Sequence, residues 1–183
     1  MLSDRKLKNK KLIVLTGLPF TGKTKLGRIL EKKLKIKFVD IDEIRYGLFK
    51  NSPKEMKSDQ DKNQMVISYD SIFWITNFIL KHNDDLVIAA TFSRKENQEK
   101  IIEICRKNNA ILKFIYCYAS DQIIQKRILK REKKKESRST CRTWEHYERD
   151  KLRYYIFPGQ KLSVDTSRPI NDCLKDIIDY ILF

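Results

Sequence analysis

One stretch near the N-terminus, Gly17-Leu18-Pro19-Phe20-Thr21-Gly22-Lys23-Thr24, limits what this chain can become more than any other feature. It has the spacing GxxxxGK[ST]. The apolar run Leu12–Thr16 before it reads as a buried parallel strand. After it, Leu26, Ile29, Leu30 and Leu34 recur at helical spacing with lysines between them. Strand, glycine-rich turn and helix, in that order, give the pattern its physical meaning. Gly17 and Gly22 let the backbone bend close to an anion with no Cβ in the way. Successive N–H groups then point at that anion from the positive end of a helix dipole. The stretch is therefore read as a nucleotide-phosphate cradle built from residues 17–24, with ATP and Mg²⁺ as the expected cofactors. Lys23 reaches the β- and γ-phosphates, and Thr24 offers its hydroxyl to the metal.

The remaining chain reads as strands alternating with helices. Further strands are expected over 38–42, 86–91, 111–117 and 162–165. Helices are expected over 64–81, 95–108, from Ser120-Asp121 onward, and over 169–182. The polar stretch 51–63 reads as an exposed loop or short helices. This alternation argues for an α/β sandwich around a parallel sheet. With 183 residues, the chain reads as one domain, 1–183, with a basic arm over 1–11.

Phe38-Val39-Asp40-Ile41-Asp42 ends the second expected strand in acid, and Arg45 follows three residues later. Ligands of open α/β sheets bind at the carboxyl ends of strands. A carboxylate there can take the proton of an attacking hydroxyl, and an arginine beside it can grip a second anion. Strand alternation would turn Asp40 and Asp42 to one side. The blander reading is that both acids cap a following helix.

At these residues the chain resembles the small P-loop kinases related to the 5′-kinase domain of phage-type polynucleotide kinase. Gly17-Leu-Pro19-Phe-Thr-Gly22-Lys23-Thr24 answers that family's GxPGSGKS. Asp42 and Arg45 answer its Asp-x-x-Arg acceptor motif, and Arg127 and Arg131 its Arg-x-x-x-Arg helix. The resemblance implies a P-loop NTPase sandwich of the small-kinase type with a basic lid over about 131–143. It implies Asp42 as general base and Arg45 as acceptor clamp. Arg131 would stabilise the transferring phosphoryl group, and Arg127 would sit on the nucleotide. In that family the 165–169 loop passes near the adenine. Two departures stand out. Ala89-Ala90-Thr91 lies where the family strand ends in Asp, which leaves Asp40 or Thr91 to substitute. Phe20 is a bulky residue inside the loop, able to narrow the site or simply to pack.

Residues 125–153 hold twelve Lys or Arg against five acids, and the whole chain carries a formal charge of +15. Such a surface attracts polyanions and phosphorylated compounds. Arg138, Arg142 and Lys133–Lys135 belong to this segment, which reads either as a lid supplying cations or as a solvated charged face. Three functions follow: a kinase for the 5′-hydroxyl of a nucleic acid, a kinase for a small hydroxyl metabolite such as a nucleoside, nucleotide, sugar or antibiotic, and a nucleotide-dependent regulatory protein with weak ATPase activity. Cys105, Cys117, Cys141 and Cys173 form no CxxC pair, so neither zinc nor a disulfide framework is expected. No apolar run reaches the roughly 20 residues of a membrane span, and no leader is read at the N-terminus. The expected location is cytoplasmic, with no membrane partner. His82 and His146 read as structural or exposed.

Overall fold

All five strands of the sheet run parallel, in the order β2-β3-β1-β4-β5. The computed structural model describes residues 10–49, 59–134 and 143–182. In chain order these form β1 (Lys11–Thr16), α1 (Lys23–Leu34), β2 (Lys37–Asp40), α2 (Ile41–Leu48), α3 (Asp59–Lys81), β3 (Leu86–Ala89), α4 (Lys95–Lys107), β4 (Ile111–Tyr118), α5 (Asp121–Lys134), α6 (Trp144–Arg153), β5 (Lys161–Asp165) and α7 (Ile170–Leu182).

The continuous apolar runs follow from burial on both faces. Leu12, Ile13, Val14 and Leu15 are all fully buried, yet they serve opposite layers. Ile13 and Leu15 join Leu26 and Leu30 of α1 and Leu174, Ile177 and Ile181 of α7. Leu12 and Val14 join Ile72, Phe73 and Leu80 of α3 and Ile101 and Cys105 of α4. Central placement of β1 puts the residues that follow it between the carboxyl ends of β3 and β4, where the strand order reverses and ligands bind.

The differences from the sequence reading have local causes. The second strand stops at Asp40 because Asp40 caps α2: its side chain accepts the Asp42 N–H. Asp42 is therefore a first-turn helical residue, and the alternation that would align it with Asp40 does not apply. Helix α3 begins at Asp59, inside the stretch read as loop. β1 starts at Lys11, at the end of the stretch read as an arm. Lys135, Arg138, Cys141, Arg142 and most of the expected lid lie outside the described residues, as do residues 1–9.

Candidate active site

Residues 17–24 form the turn between β1 and α1. Gly17 has φ +136°, and a Cβ there would stand 2.1 Å from the Cys117 carbonyl oxygen, so no other residue fits without moving backbone. Gly22 caps α1 in the left-handed region, φ +86°. Phe20 also has positive φ, 65°, where a non-glycine residue is uncommon. Its ring is buried with Leu18, Ile124, Ile128 and Tyr147, so the loop's bulky residue packs outward against α5 and α6. Pro19 is half-buried beside it.

Inside the turn, Lys23 Nζ donates to the carbonyl oxygens of Gly17 and Leu18, both at 2.8 Å. Leu18 O also accepts the Thr21 hydroxyl at 2.8 Å. Burial pulls the Lys23 pKa down, while Asp40 and Asp42 are among the groups that hold it up. An ammonium resting on neutral carbonyls, with its natural counter-ion elsewhere, is poised to turn toward a phosphate.

The neighbouring carboxylates divide their work. Asp40 Oδ2 accepts the exposed Thr24 hydroxyl at 2.6 Å, and Oδ1 accepts the Asp42 N–H at 2.9 Å. Asp40 pairs in register with Ala89, so its carboxylate stands one strand away from the stretch of β3 that lacks an acid. The Thr91 carbonyl accepts the buried Thr16 hydroxyl at 2.8 Å. A hydroxyl and adjoining carboxylates form a hard-oxygen donor set of the kind Mg²⁺ uses alongside substrate phosphates. Among the described residues no group of three or more His, Cys, Asp or Glu could hold a metal without such phosphates.

Asp42 is half-buried, and its carboxyl is pushed up from 3.8 to about 6 by burial first and by Asp40 second, against the pull of Arg45 and Lys23. Arg45 Nη2 donates to Asp42 Oδ1 at 3.3 Å, and its guanidinium lies 4.9 Å from the Tyr46 ring centroid. The residue read as an acceptor clamp is fully buried, so no ligand reaches it in this conformation. Arg127 donates to Phe20 O at 2.9 Å and to the hydroxyl and carbonyl of Thr166 at 3.0 and 2.6 Å. It thus ties the cradle to the loop after β5. Arg131 lies 5.0 Å above the Phe20 ring.

Three contributors carried no sequence signal. Tyr154, just after α6, bonds Thr16 Oγ1 at 2.8 Å across 138 residues. Since the single Thr16 proton goes to Thr91, Tyr154 donates this second bond. The next residue's N–H reaches Ser93 O at 3.1 Å. Tyr69 of α3 accepts the Phe92 N–H at 3.1 Å, and burial raises its phenol to about 12. Phe92 is fully buried at φ 47°. That left-handed turn costs of order 1–3 kcal/mol and persists only because Tyr69, Gln98 and the packing hold it.

Residues 12–151, from β1 through the cradle and both acids to α6, match the AAA domain family. The chain belongs to that family. The AAA domain fold seen here is also that of small P-loop kinases. A candidate kinase from Chloroflexus aurantiacus superposes with a TM-score of 0.77 at 21% identity, over 94% of this chain and 99% of that one. A gluconokinase from Sinorhizobium meliloti gives 0.70 at 13% identity, over 96% and 94%. The Mycobacterium tuberculosis APS kinase in complex with AMPPNP and APS gives 0.68 at 16%, over 97% and 100%. No curated protein matches the chain by sequence. Among the described residues no helix is long and apolar enough to cross a membrane.

Proposed function

We propose that this AAA domain protein is a kinase that moves the γ-phosphoryl group of ATP onto a hydroxyl of a small metabolite. The observation that carries the reading is Asp42. A half-buried carboxylate with a pKa near 6, electrically coupled to Lys23 at the cradle, is ionised at neutral pH yet basic enough to accept a proton. In the reaction, Asp42 takes the acceptor's hydroxyl proton as the acceptor oxygen bonds to the γ-phosphorus. The bond from that phosphorus to the β–γ bridging oxygen breaks, and ADP leaves. Lys23 swings from its carbonyls to the β- and γ-phosphates, and the N–H groups of residues 20–24 hold the phosphate oxygens. Thr24 and Asp40 would hold Mg²⁺, directly or through its water. The ion supplies charge neutralisation at the phosphates. Asp40 also places Asp42 through the helix cap. Arg131, on the helix face it shares with Arg127, is the cation assigned to the transferring group.

A small acceptor is supported by the company of the fold, since gluconokinase and APS kinase both phosphorylate small molecules. The 5′-hydroxyl of a nucleic acid is the second reading, favoured by the +15 charge and by Asp42 with Arg45. It ranks lower because Arg45 is buried and none of these neighbours is titled a polynucleotide kinase. A regulatory protein with weak ATPase activity is the third reading, and the Asp40 carboxylate beside Thr24 and in register with Ala89 weighs against it. The test is a labelled γ-phosphate transfer screen that sets sugars, sugar acids and nucleosides beside 5′-OH oligonucleotides. Labelling of oligonucleotides alone would transfer the case to the second reading.

A further inference from the structure

Three arginines belong to the segments that meet beyond the carboxyl edge of β1 and β3. Arg94 caps α4, five residues beyond the end of β3, and is exposed. Arg149 and Arg153 lie four apart on α6, so they share one helix face. The chain after α6 fixes where that face ends up. Tyr154 is bonded to Thr16, the residue just before Gly17, and Tyr155 is bonded to Ser93, the residue just before Arg94. Gln98 Nε2 reinforces the junction by donating to both Phe92 O and Tyr155 O, at 2.7 and 2.9 Å. Arg94 and Arg153 are each within two residues of one backbone hydrogen bond.

Electrostatics links the same groups to the reacting end of the cradle. Arg94 acts on Tyr69, and Tyr69 feels Asp42. Asp150, between the α6 arginines, feels His146, Arg149, Arg153 and Lys23. Two arginines, Arg149 and Arg153, thus face the single carboxylate of Asp150. Among the described residues, none of the three guanidiniums makes a hydrogen bond or an ion pair with the protein. By contrast Arg28 holds Glu31 and Glu43, Arg168 holds Asp176, and Arg127 holds Phe20 and Thr166. Like charges on neighbouring segments, left without hydrogen bonds from the protein, are available to an anion that arrives with a ligand.

We infer that the acceptor is itself an anion, and that Arg94 and Arg153, assisted by Arg149, read its phosphate, sulfate or carboxylate group while its hydroxyl faces Asp42. The inference deepens the kinase reading and rests on it. It predicts that a neutral polyol is a poor acceptor beside the corresponding sugar acid.

The test fills the cradle first. The full chain is loaded with AMPPNP and Mg²⁺, and sulfate is titrated into it by calorimetry, with acetate in a parallel arm. At least one of the two should bind the loaded protein. Sulfate alone assigns a phosphoryl- or sulfuryl-bearing acceptor, and acetate a carboxylate. Arg94→Gln with Arg153→Gln should weaken that binding at least about tenfold, the loss of charge-assisted hydrogen bonds, while AMPPNP affinity holds. Both residues are exposed, so the fold is retained, and Arg94→Gln alone should show part of the loss. No binding of either anion to the AMPPNP complex, or equal binding by the double variant, overturns the inference and leaves the kinase reading intact. Failure of AMPPNP to bind at all overturns both.

Discussion

The side of the cleft we assign to the phosphate donor is made of backbone, and the side we assign to the acceptor is made of charged side chains. Around the phosphates, residues 17–24 fix their N–H groups by two glycines and by a Phe20 ring driven into the core. Nothing there has to change its protonation state. Around the acceptor, Asp40, Asp42 and Arg45 form a chain of partners, and Phe92 is held in a strained turn by a tyrosine from another helix. The first arrangement can serve any nucleoside triphosphate reaction. The second is where substrate identity and pH enter. A cleft built this way separates what is common to P-loop chemistry from what is particular to one acceptor.

The sharpest way to break this comparison is at Lys23. Lys23→Ala should lower turnover by at least about 10³-fold, since a positioned cation at the developing phosphoryl charge is lost, with little change in thermal midpoint. A well-folded variant of full activity would end the kinase reading. Asp42→Asn comes next. It should lower kcat by about 10²–10⁴-fold and leave the ATP affinity unaltered, because the residue meets the acceptor and not the nucleotide. A loss under about threefold would move the role of base to Asp40.

The raised Asp42 pKa sharpens the difference further. The carboxyl loses its charge as pH falls through about 6, so kcat/KM should decline by about tenfold per unit below that point. A flat profile between pH 5 and 7, roughly a unit either side of that value, would separate Asp42 from the chemistry. The linked stability has the opposite sign. Because the folded pKa lies above the ordinary 3.8, the native state is penalised for carrying the charge at higher pH. Asp42→Asn should therefore raise the thermal midpoint above pH 6, and the gain should disappear as pH falls from 6 toward 3.8.

Smaller effects test the donor frame. Gly17→Ala should destabilise by about 1–3 kcal/mol, through overlap with the Cys117 carbonyl and an unfavourable φ, seen as a lowered urea midpoint. Tyr154→Phe should cost only about 1 kcal/mol, the worth of one hydrogen bond, in the same denaturation series.

Legibility in the sequence followed the same divide. The cradle could be read because its function lies in backbone conformation, which glycine spacing reports directly. The buried strands could be read because a parallel sheet covered on both faces needs unbroken apolar runs, as Leu12–Leu15 show. Asp42 and Arg45 were visible as residue types but not as geometry. The position of Asp42 depends on a helix that starts one residue after Asp40, and nothing in the letters at 40–42 distinguishes a strand end from a capped helix. The burial of Arg45 depends on packing that no local pattern encodes. Tyr154 and Tyr69 were invisible for a simpler reason. Each acts on a partner far away in the chain, at Thr16 and Phe92, and an isolated tyrosine reports nothing about its partner.

The bond between Thr16 and Tyr154 also bears on how the protein is made. Within this sequence the cradle is made before the partners that fasten it: β1 pairs with β3 at 86–89 and β4 at 111–118, and Thr16 then bonds the tyrosine at 154. Contacts of such long range close slowly, after most of the chain-ordering cost has been met. A nascent chain halted after α5 would carry every residue of the cradle and lack its last fastening. Competence to bind nucleotide should thus be acquired late in synthesis, and premature termination would yield fragments with an intact motif and no working site.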